Sequence, residues 1–188
     1  DRVWARRDEV AASVERIAAA GRAAGLVMMS HDDPTVEERL RFRALGCPIA
    51  EFPMTESAAR EAVAAGETTV FGAPNVVRGG SHTGCPSAAD MAAAGLATVL
   101  ASDYYYPAMV QASSVLDRSG VLPLEAAWAL VSLNPARALG LTDRGEIATG
   151  KRGDLVVAEP VPDGLRVVAT FAAGKLVFST QSHRIRPN

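Results

Sequence analysis

The chain has 188 residues, with 19 Lys and Arg against 21 Asp and Glu, a net charge of −2, and 48% hydrophobic and 21% charged residues. That size suits one ordinary domain or part of a larger one. The near balance of charge excludes the basic surface that holds a phosphate backbone, so no nucleic-acid partner is expected. No apolar stretch reaches the roughly 18 residues that cross a bilayer, so no membrane partner is expected. The opening residues, Asp1-Arg2-Val3-Trp4-Ala5-Arg6-Arg7, do not look like a signal peptide, and a cytoplasmic location is the expectation. The first residue is Asp rather than Met, which implies a processed, trimmed or partial end. Cys47 and Cys85 lie far apart in sequence, and without an export signal two free thiols are expected rather than a disulfide.

Taken in order, residues 8–24 read as an amphipathic helix, with Val10, Val14, Ile17 and Ala18 at helical spacing and Gly25 as its stop. Leu26-Val27-Met28-Met29 reads as a short strand, apolar on both faces, delivering Ser30-His31-Asp32-Asp33 at its C-terminal end. A helix opens at Pro34-Thr35, with Val36, Leu40 and Leu45 on its inner face and Gly46 at its end. Pro48 to Phe52 reads as a strand, Thr55 to Gly66 as a helix, and Thr68 to Gly72 as a strand. A long glycine-bearing loop is expected next, then a short helix over about 87–94 and a strand from Leu96 to Ala101 leading to Asp103. Helices follow over 107–119 and 123–132, and a third opens at Asn134-Pro135.

Strands alternating with helices through short connections, and apolar without polar alternation, point to a parallel α/β arrangement. After Gly145 the pattern changes. Strands at 154–158, 165–171 and 175–178, with turns at 150–153 and Gly174, read as a small antiparallel unit, and Ser182 to Asn188 as a frayed tail. The domain expectation is therefore a barrel segment over 1–146 and a small β subdomain with tail over 147–188.

Polar groups collect where the apolar runs end, which is where a parallel barrel places its site. His31 is followed directly by two carboxylates. It is either a ligand for zinc, manganese or iron, its tautomer set by a neighbouring carboxylate, or an ordinary hydrogen-bonded histidine. Asp103 either caps the following helix or binds metal and takes a proton from water. In Arg78-Gly79-Gly80-Ser81-His82-Thr83-Gly84, consecutive glycines let N–H groups face an anion and Arg78 adds a bidentate donor. The alternative there is a plain surface loop. Tyr104-Tyr105-Tyr106 holds every tyrosine of the chain and either lines a pocket or packs on neighbouring helices.

Several segments together carry a resemblance. These are Ser30-His31-Asp32-Asp33, Ala50-Glu51-Phe52-Pro53-x-Thr55, Gly72-Ala73-Pro74-Asn75-Val76-Val77-Arg78-Gly79-Gly80-Ser81-His82-Thr83-Gly84, Ser102-Asp103-Tyr104, Asn134-Pro135-Ala136-Arg137-Ala138-x-Gly140-Leu141, and Asp143 to Leu155. In this order and spacing the chain resembles the PhnM-type diphosphatases of the carbon–phosphorus lyase pathway, a branch of the amidohydrolase superfamily. The resemblance runs over nearly the whole chain. The last two segments are widespread in the superfamily, whereas Gly72 to His82 is much more specific to the branch.

The resemblance implies an α/β fold, the C-terminal half of a (β/α)8 TIM-type amidohydrolase barrel (strands five to eight) with part of a small β-sandwich. It implies a divalent metal, zinc or manganese, and hydrolysis of α-D-ribose 1-methylphosphonate 5-triphosphate to 5-phospho-α-D-ribose 1-methylphosphonate and diphosphate. His31 matches the metal-binding His after the fifth strand. Asp103 matches the Asp after the eighth, which binds metal and orients or deprotonates the attacking water. Arg78, Gly79, Gly80, Ser81 and His82 fall where substrate phosphates sit. The implied partners are a small phosphorylated ribose substrate, the N-terminal half of the barrel and, left open, a second copy of the chain.

Two departures from the family pattern stand out. No His follows the strand at Ile49-Ala50-Glu51, so either Glu51 or His82 compensates, or the second metal is bound differently. The His-x-His of the first strand and the bridging residue of the fourth are absent, and a complete member is roughly twice as long. The segment alone is therefore expected to be inactive. Two other readings stay open: an amidohydrolase acting on C–N bonds, such as an N-acetyl sugar deacetylase or cyclic amidase, and an inactive fragment or split subunit.

Overall fold

The computed structural model describes residues 4–80 and 84–180, so the expected tail lies outside the described residues, as do Ser81 and His82. The chain divides into two compact units, 1–70 and 71–188.

The first unit begins with a 3-10 turn, Trp4–Glu9, running into α1 (Val10–Ala23). Three strands follow, β1 (Met29–His31), β2 (Ile49–Glu51) and β3 (Thr68–Gly72). Between them lie α2 (Val36–Ala44) and α3 (Glu56–Ala64). Both helices start as their sequences direct, with Thr35 and Thr55 accepting the N–H groups of Glu38 and Ala58. The strands pair in parallel, Met29 with Ile49 and Ile49 with Thr68. β1 starts three residues later than the apolar run suggests, and Leu26, Val27 and Met29 are exposed. Among the described residues β1 is the terminal strand of the sheet, paired with β2 alone.

The inner face of α2 also differs from the periodicity. Leu40 is exposed and Arg39 is fully buried. Arg39 reaches under the sheet, donating to Ser30 Oγ (2.7 Å), Asp33 Oδ2 (2.9 Å) and the Cys47 carbonyl (2.5 Å). Its Nε lies 3.4 Å from Glu67 Oε2. Glu67 in turn takes both Nε and Nη2 of Arg43, whose Nη1 bonds Glu61. Those hydrogen bonds to Glu67 and then Glu61 raise the Arg43 guanidinium above its ordinary pKa. Burial of an arginine is tolerated because carboxylates and carbonyls converge on it.

The second unit begins inside β3 and continues with α4 (Ala73–Arg78), α5 (Ala88–Ala93) and β4 (Val99–Ala101). β4 follows β3 in a four-stranded sheet of order β1-β2-β3-β4. Then come α6 (Ala108–Arg118), α7 (Leu124–Ala129) and α8 (Leu133–Ala138). Leu100 donates its N–H to the Leu130 carbonyl, and Asn134 Nδ2 donates to the Thr98 carbonyl, so the helices after α6 are tied to β4. Three antiparallel strands close the described chain: β5 (Leu155–Val161), β6 (Gly164–Ala172) and β7 (Lys175–Ser179), in that order.

The change from parallel to antiparallel elements falls where the sequence puts it, yet packing does not break at 146/147. β6 lies on α6, where a Cβ at Gly164 would come within 2.8 Å of Ser114 Oγ, and Arg118 donates to the Pro162 carbonyl. Among the described residues no helix is long and apolar enough to cross a membrane. Both cysteines are free thiols, Cys47 buried and Cys85 half-buried.

Candidate active site

The backbone at the strand exits, where the candidate residues lie, is unusual. Asp32 follows β1 with φ +59°, Phe52 follows β2 with φ +51°, and Asp103 lies two residues beyond β4 with φ +49°. A side chain in this left-handed region costs about 1–3 kcal/mol and persists where surroundings impose it. At the first two exits the ladder imposes it. Asp32 N–H donates to the Glu51 carbonyl and Phe52 N–H to the Val70 carbonyl, both at 2.9 Å, so each residue completes the pairing before the chain turns away. No glycine marks these positions, which is why the sequence does not announce them.

In the first unit, His31 and Glu51 are register partners at the ends of β1 and β2. In a parallel sheet, partners in register share a face. The left-handed turn at Asp32 brings its Oδ2 to 3.0 Å from His31 Nδ1, and Nε2 lies 4.0 Å from Glu51 Oε2. The Phe52 ring meets the imidazole edge-on, 5.4 Å between centroids at 81°. His31 is 57% exposed and Glu51 26%. Below this rim, Ser30 and Asp33 are buried, with Ser30 Oγ donating to Asp33 Oδ2 at 2.8 Å. The Ser-His-Asp-Asp run thus alternates: Ser30 and Asp33 face the Arg39 network, while His31 and Asp32 face solvent.

In the second unit, the stretch after β3 is not the long loop its glycines suggest. Ala73–Arg78 is helical, with Pro74 in its first turn and Gly79 as its left-handed cap at φ +78°. Gly79 and Gly80 donate their N–H groups to the Val76 and Asn75 carbonyls. Neither N–H is therefore available to an anion. The expected glycine cradle is corrected on that physical ground, and the local helix end presents carbonyls rather than donors. Arg78 is exposed, donates to the Tyr104 hydroxyl, and holds its guanidinium over that ring at 5.9 Å from the centroid. Asn75 is a residue the sequence reading passed over. Its side chain accepts the Ala88 N–H at 2.9 Å and fixes the start of α5. Asp103 is exposed, as are Tyr104, Tyr105 and Tyr106.

Imidazole nitrogen and carboxylate oxygen suit zinc or manganese. His31 with Glu51 fits such an ion as part of a ligand set. Among the described residues no group of three or more His, Cys, Asp and Glu side chains is placed to hold one.

Residues 5–178 match the amidohydrolase family. The chain is 42% identical to the α-D-ribose 1-methylphosphonate 5-triphosphate diphosphatase of Escherichia coli (strain K12) over 166 residues, which is 87% of this chain and 44% of that protein. A shorter match, 47% over 58 residues, links it to an adenine deaminase of Gluconobacter oxydans and covers 31% of this chain and 10% of that protein. Among solved structures, an amidohydrolase from Thermotoga maritima aligns with a TM-score of 0.64 at 20% identity, covering 82% of this chain and 44% of that one. An N-acetylglucosamine-6-phosphate deacetylase from Pasteurella multocida aligns with a TM-score of 0.64 at 12% identity, covering 86% and 53%. The chain spans about half the length of these long-aligning relatives. Its fold is that of the C-terminal part of a TIM-type barrel with a small antiparallel sheet, and by the family match over nearly its whole length the chain belongs to the amidohydrolase family.

Proposed function

We propose that this chain forms the C-terminal half of a metal-dependent diphosphatase that hydrolyses α-D-ribose 1-methylphosphonate 5-triphosphate to 5-phospho-α-D-ribose 1-methylphosphonate and diphosphate. The 42% identity over 87% of the chain to the E. coli enzyme of that activity carries the reading. Water adds to phosphorus and the anhydride bond between the α- and β-phosphoryl groups breaks, so one water is consumed and diphosphate leaves. From the family resemblance, His31 and Asp103 would contribute to holding a divalent ion in the complete enzyme, and such an ion would supply Lewis acidity.

The chain's own residues do the rest. Asp103 takes the proton of the attacking water; its exposed carboxylate at a strand exit supports that role. Arg78 binds the phosphate charge through its planar fork. Gly79 and Gly80 end α4 and turn the chain beside it. Ser81 and His82 are assigned to phosphate contact from the family resemblance. The N-terminal half of the barrel supplies the remaining ligands, so the isolated segment is inactive. The triphosphate is an ionic metabolite, in keeping with a cytoplasmic enzyme.

The shorter matches to adenine deaminases favour a second reading, hydrolysis of a C–N bond. Their 10% coverage of those proteins makes it the weaker one. The protein expressed from its full reading frame, assayed with the ribose 5-triphosphate, adenine and an N-acetylated sugar phosphate, separates the two. The proposal expects turnover of the triphosphate alone. Turnover of adenine or the N-acetylated sugar with the triphosphate untouched would replace it.

A further inference from the structure

Arg39 is the largest of the fully buried side chains among the described residues. A buried ion pair is a poor source of stability, because taking two charges out of water offsets most of their attraction, and apolar residues of similar volume often serve as well. The geometry points to another role. Arg39 Nη1 donates to Ser30 Oγ at 2.7 Å and to Asp33 Oδ2 at 2.9 Å, and Ser30 Oγ donates to the same Oδ2 at 2.8 Å, which closes a triangle. Arg39 Nη2 donates to the carbonyl of Cys47, two residues before β2. One planar guanidinium therefore ties the end of β1 to the approach of β2.

The triangle brackets the exposed pair His31 and Asp32. Ser30 and Asp33 stand on either side of them, and Asp33 is also held by its backbone, its carbonyl accepting the Met54 N–H beyond the end of β2. Between these anchors Asp32 has φ +59°, a conformation that a residue with a side chain keeps only where its surroundings impose it. Its carboxylate meets His31 Nδ1 at 3.0 Å. The imidazole is 57% exposed and is touched on one edge by the Phe52 ring. A ring so open to solvent takes its direction from the backbone that carries it, and the Arg39 triangle holds that backbone on both sides.

We infer that Arg39 is a positioning residue for His31: its fork holds Ser30 and Asp33, and these hold the turn from which the imidazole projects. This rests on the reading of His31 as a residue of the active site and adds to it a side chain that never reaches the substrate. The task calls for arginine. A lysine ammonium lacks the planar fork that serves three acceptors on two segments at once.

The test uses the protein expressed from its full reading frame and labelled with isotope-enriched histidine, so that the ring signals of His31 are read by NMR and assigned with His31→Gln. Arg39→Lys keeps the charge beside Asp33 and loses the fork. Arg39→Met combined with Asp33→Asn removes both charges and leaves no buried carboxylate facing an apolar side chain. Arg43→Met is the control, since Arg43 bonds Glu61 and Glu67 at the far end of the network. Thermal unfolding establishes that each variant folds. The inference expects the His31 ring signals to be displaced in both Arg39 variants and to stay in place in Arg43→Met. It also expects kcat for the triphosphate to fall by about tenfold or more with KM nearly unchanged, because a misplacement of about 1 Å can cost on the order of 100-fold. Wild-type His31 signals and kcat in folded Arg39→Lys, or in the double variant where Arg39→Lys does not fold, would overturn it. So would an equal displacement of those signals in Arg43→Met, which would reduce the effect to a general loosening. Displaced signals in the Arg39 variants of a protein whose wild type leaves the triphosphate intact support the positioning and remove the diphosphatase reading. Wild-type turnover of the triphosphate, with His31 signals and kcat unchanged in the Arg39 variants, does the reverse.

Discussion

Arg78 and Tyr104, 26 residues apart in sequence, are joined twice: the guanidinium donates to the phenol oxygen and lies over the ring. This ties the end of α4 to the exit of β4, next to Asp103. The exposed arginine therefore has a defined position before any anion arrives, which lowers the ordering cost of binding one. If Arg78 binds substrate phosphate, Arg78→Ala should lower kcat/KM for the triphosphate by about tenfold or more, since hydrogen bonds to charged groups contribute about 1.5–3 kcal/mol. Tyr104→Phe keeps the ring and loses the hydroxyl, so a smaller rise in KM with kcat retained is expected. Steady-state kinetics on both variants checks this. Equal kcat/KM in wild type and Arg78→Ala would remove Arg78 from the site.

Arg39 holds the rim from below. Replacing it with methionine leaves Asp33, fully buried, without its cation, and Asp33 Oδ1 already has no hydrogen-bond partner among the described residues. Breaking a buried pair from one side costs about 3–5 kcal/mol. Urea unfolding of Arg39→Met should show a loss of that order. A loss below about 1 kcal/mol would mean the network is far less desolvated than the geometry indicates.

The two thiols should behave differently. Burial pushes the Cys47 thiol up, with nearby Arg39 opposing and Asp33 reinforcing the shift. A thiol whose folded pKa exceeds its unfolded value stabilises the fold fully below the unfolded pKa. That contribution is lost as pH rises through the folded value. Stability from this group should therefore decline above about pH 9, and Cys47→Ala should flatten that limb of the curve. At pH 8 a thiol reagent should label half-buried Cys85 well before Cys47. Mass-spectrometric mapping of the label reads the order directly.

Gly145 and Gly150 both carry positive φ, +95° and +82°. A Cβ at Gly145 would meet Ala136 Cβ at 2.8 Å and Leu133 Cα at 3.1 Å, whereas at Gly150 it would meet nothing within 4 Å. Gly145→Ala should therefore unfold at a clearly lower temperature than Gly150→Ala, which bears only the backbone strain of about 1 kcal/mol. Equal melting temperatures would show that the turn near α8 yields more readily than its contacts suggest.

Much of the fold is legible in the sequence because its signals are local. Thr35, Thr55 and Ser87 cap helices that start where they stand, and Gly174 turns a hairpin. The glycines after Arg78 misled for a local reason too. Gly79 and Gly80 look like an anion cradle, yet the Pro74-to-Gly79 spacing is also that of a one-and-a-half-turn helix with a left-handed cap, and the helix claims their N–H groups. What the sequence hides is set by tertiary contact. Arg39 reads as an ordinary charged helix residue, and only the convergence of Ser30, Asp33, Cys47 and Glu67 makes it a core residue. The left-handed turns at Asp32 and Phe52 are imposed by the neighbouring strand rather than by a glycine. The positions of His31 and Asp103 at strand exits were legible in the sequence, whereas Arg78 lies at the end of α4 rather than in a loop. The facing of His31 and Glu51 needed the register.

The most direct measurement follows the products by phosphorus NMR. The protein from its full reading frame, loaded with zinc or manganese, is incubated with α-D-ribose 1-methylphosphonate 5-triphosphate. The account predicts stoichiometric 5-phosphoribosyl product and diphosphate, no turnover after chelation, and at least a hundredfold slower release in Asp103→Asn, in line with the roughly 100- to 10,000-fold worth of a general base. Stepwise release of orthophosphate, or diphosphate release undiminished by chelator or by Asp103→Asn, would contradict it.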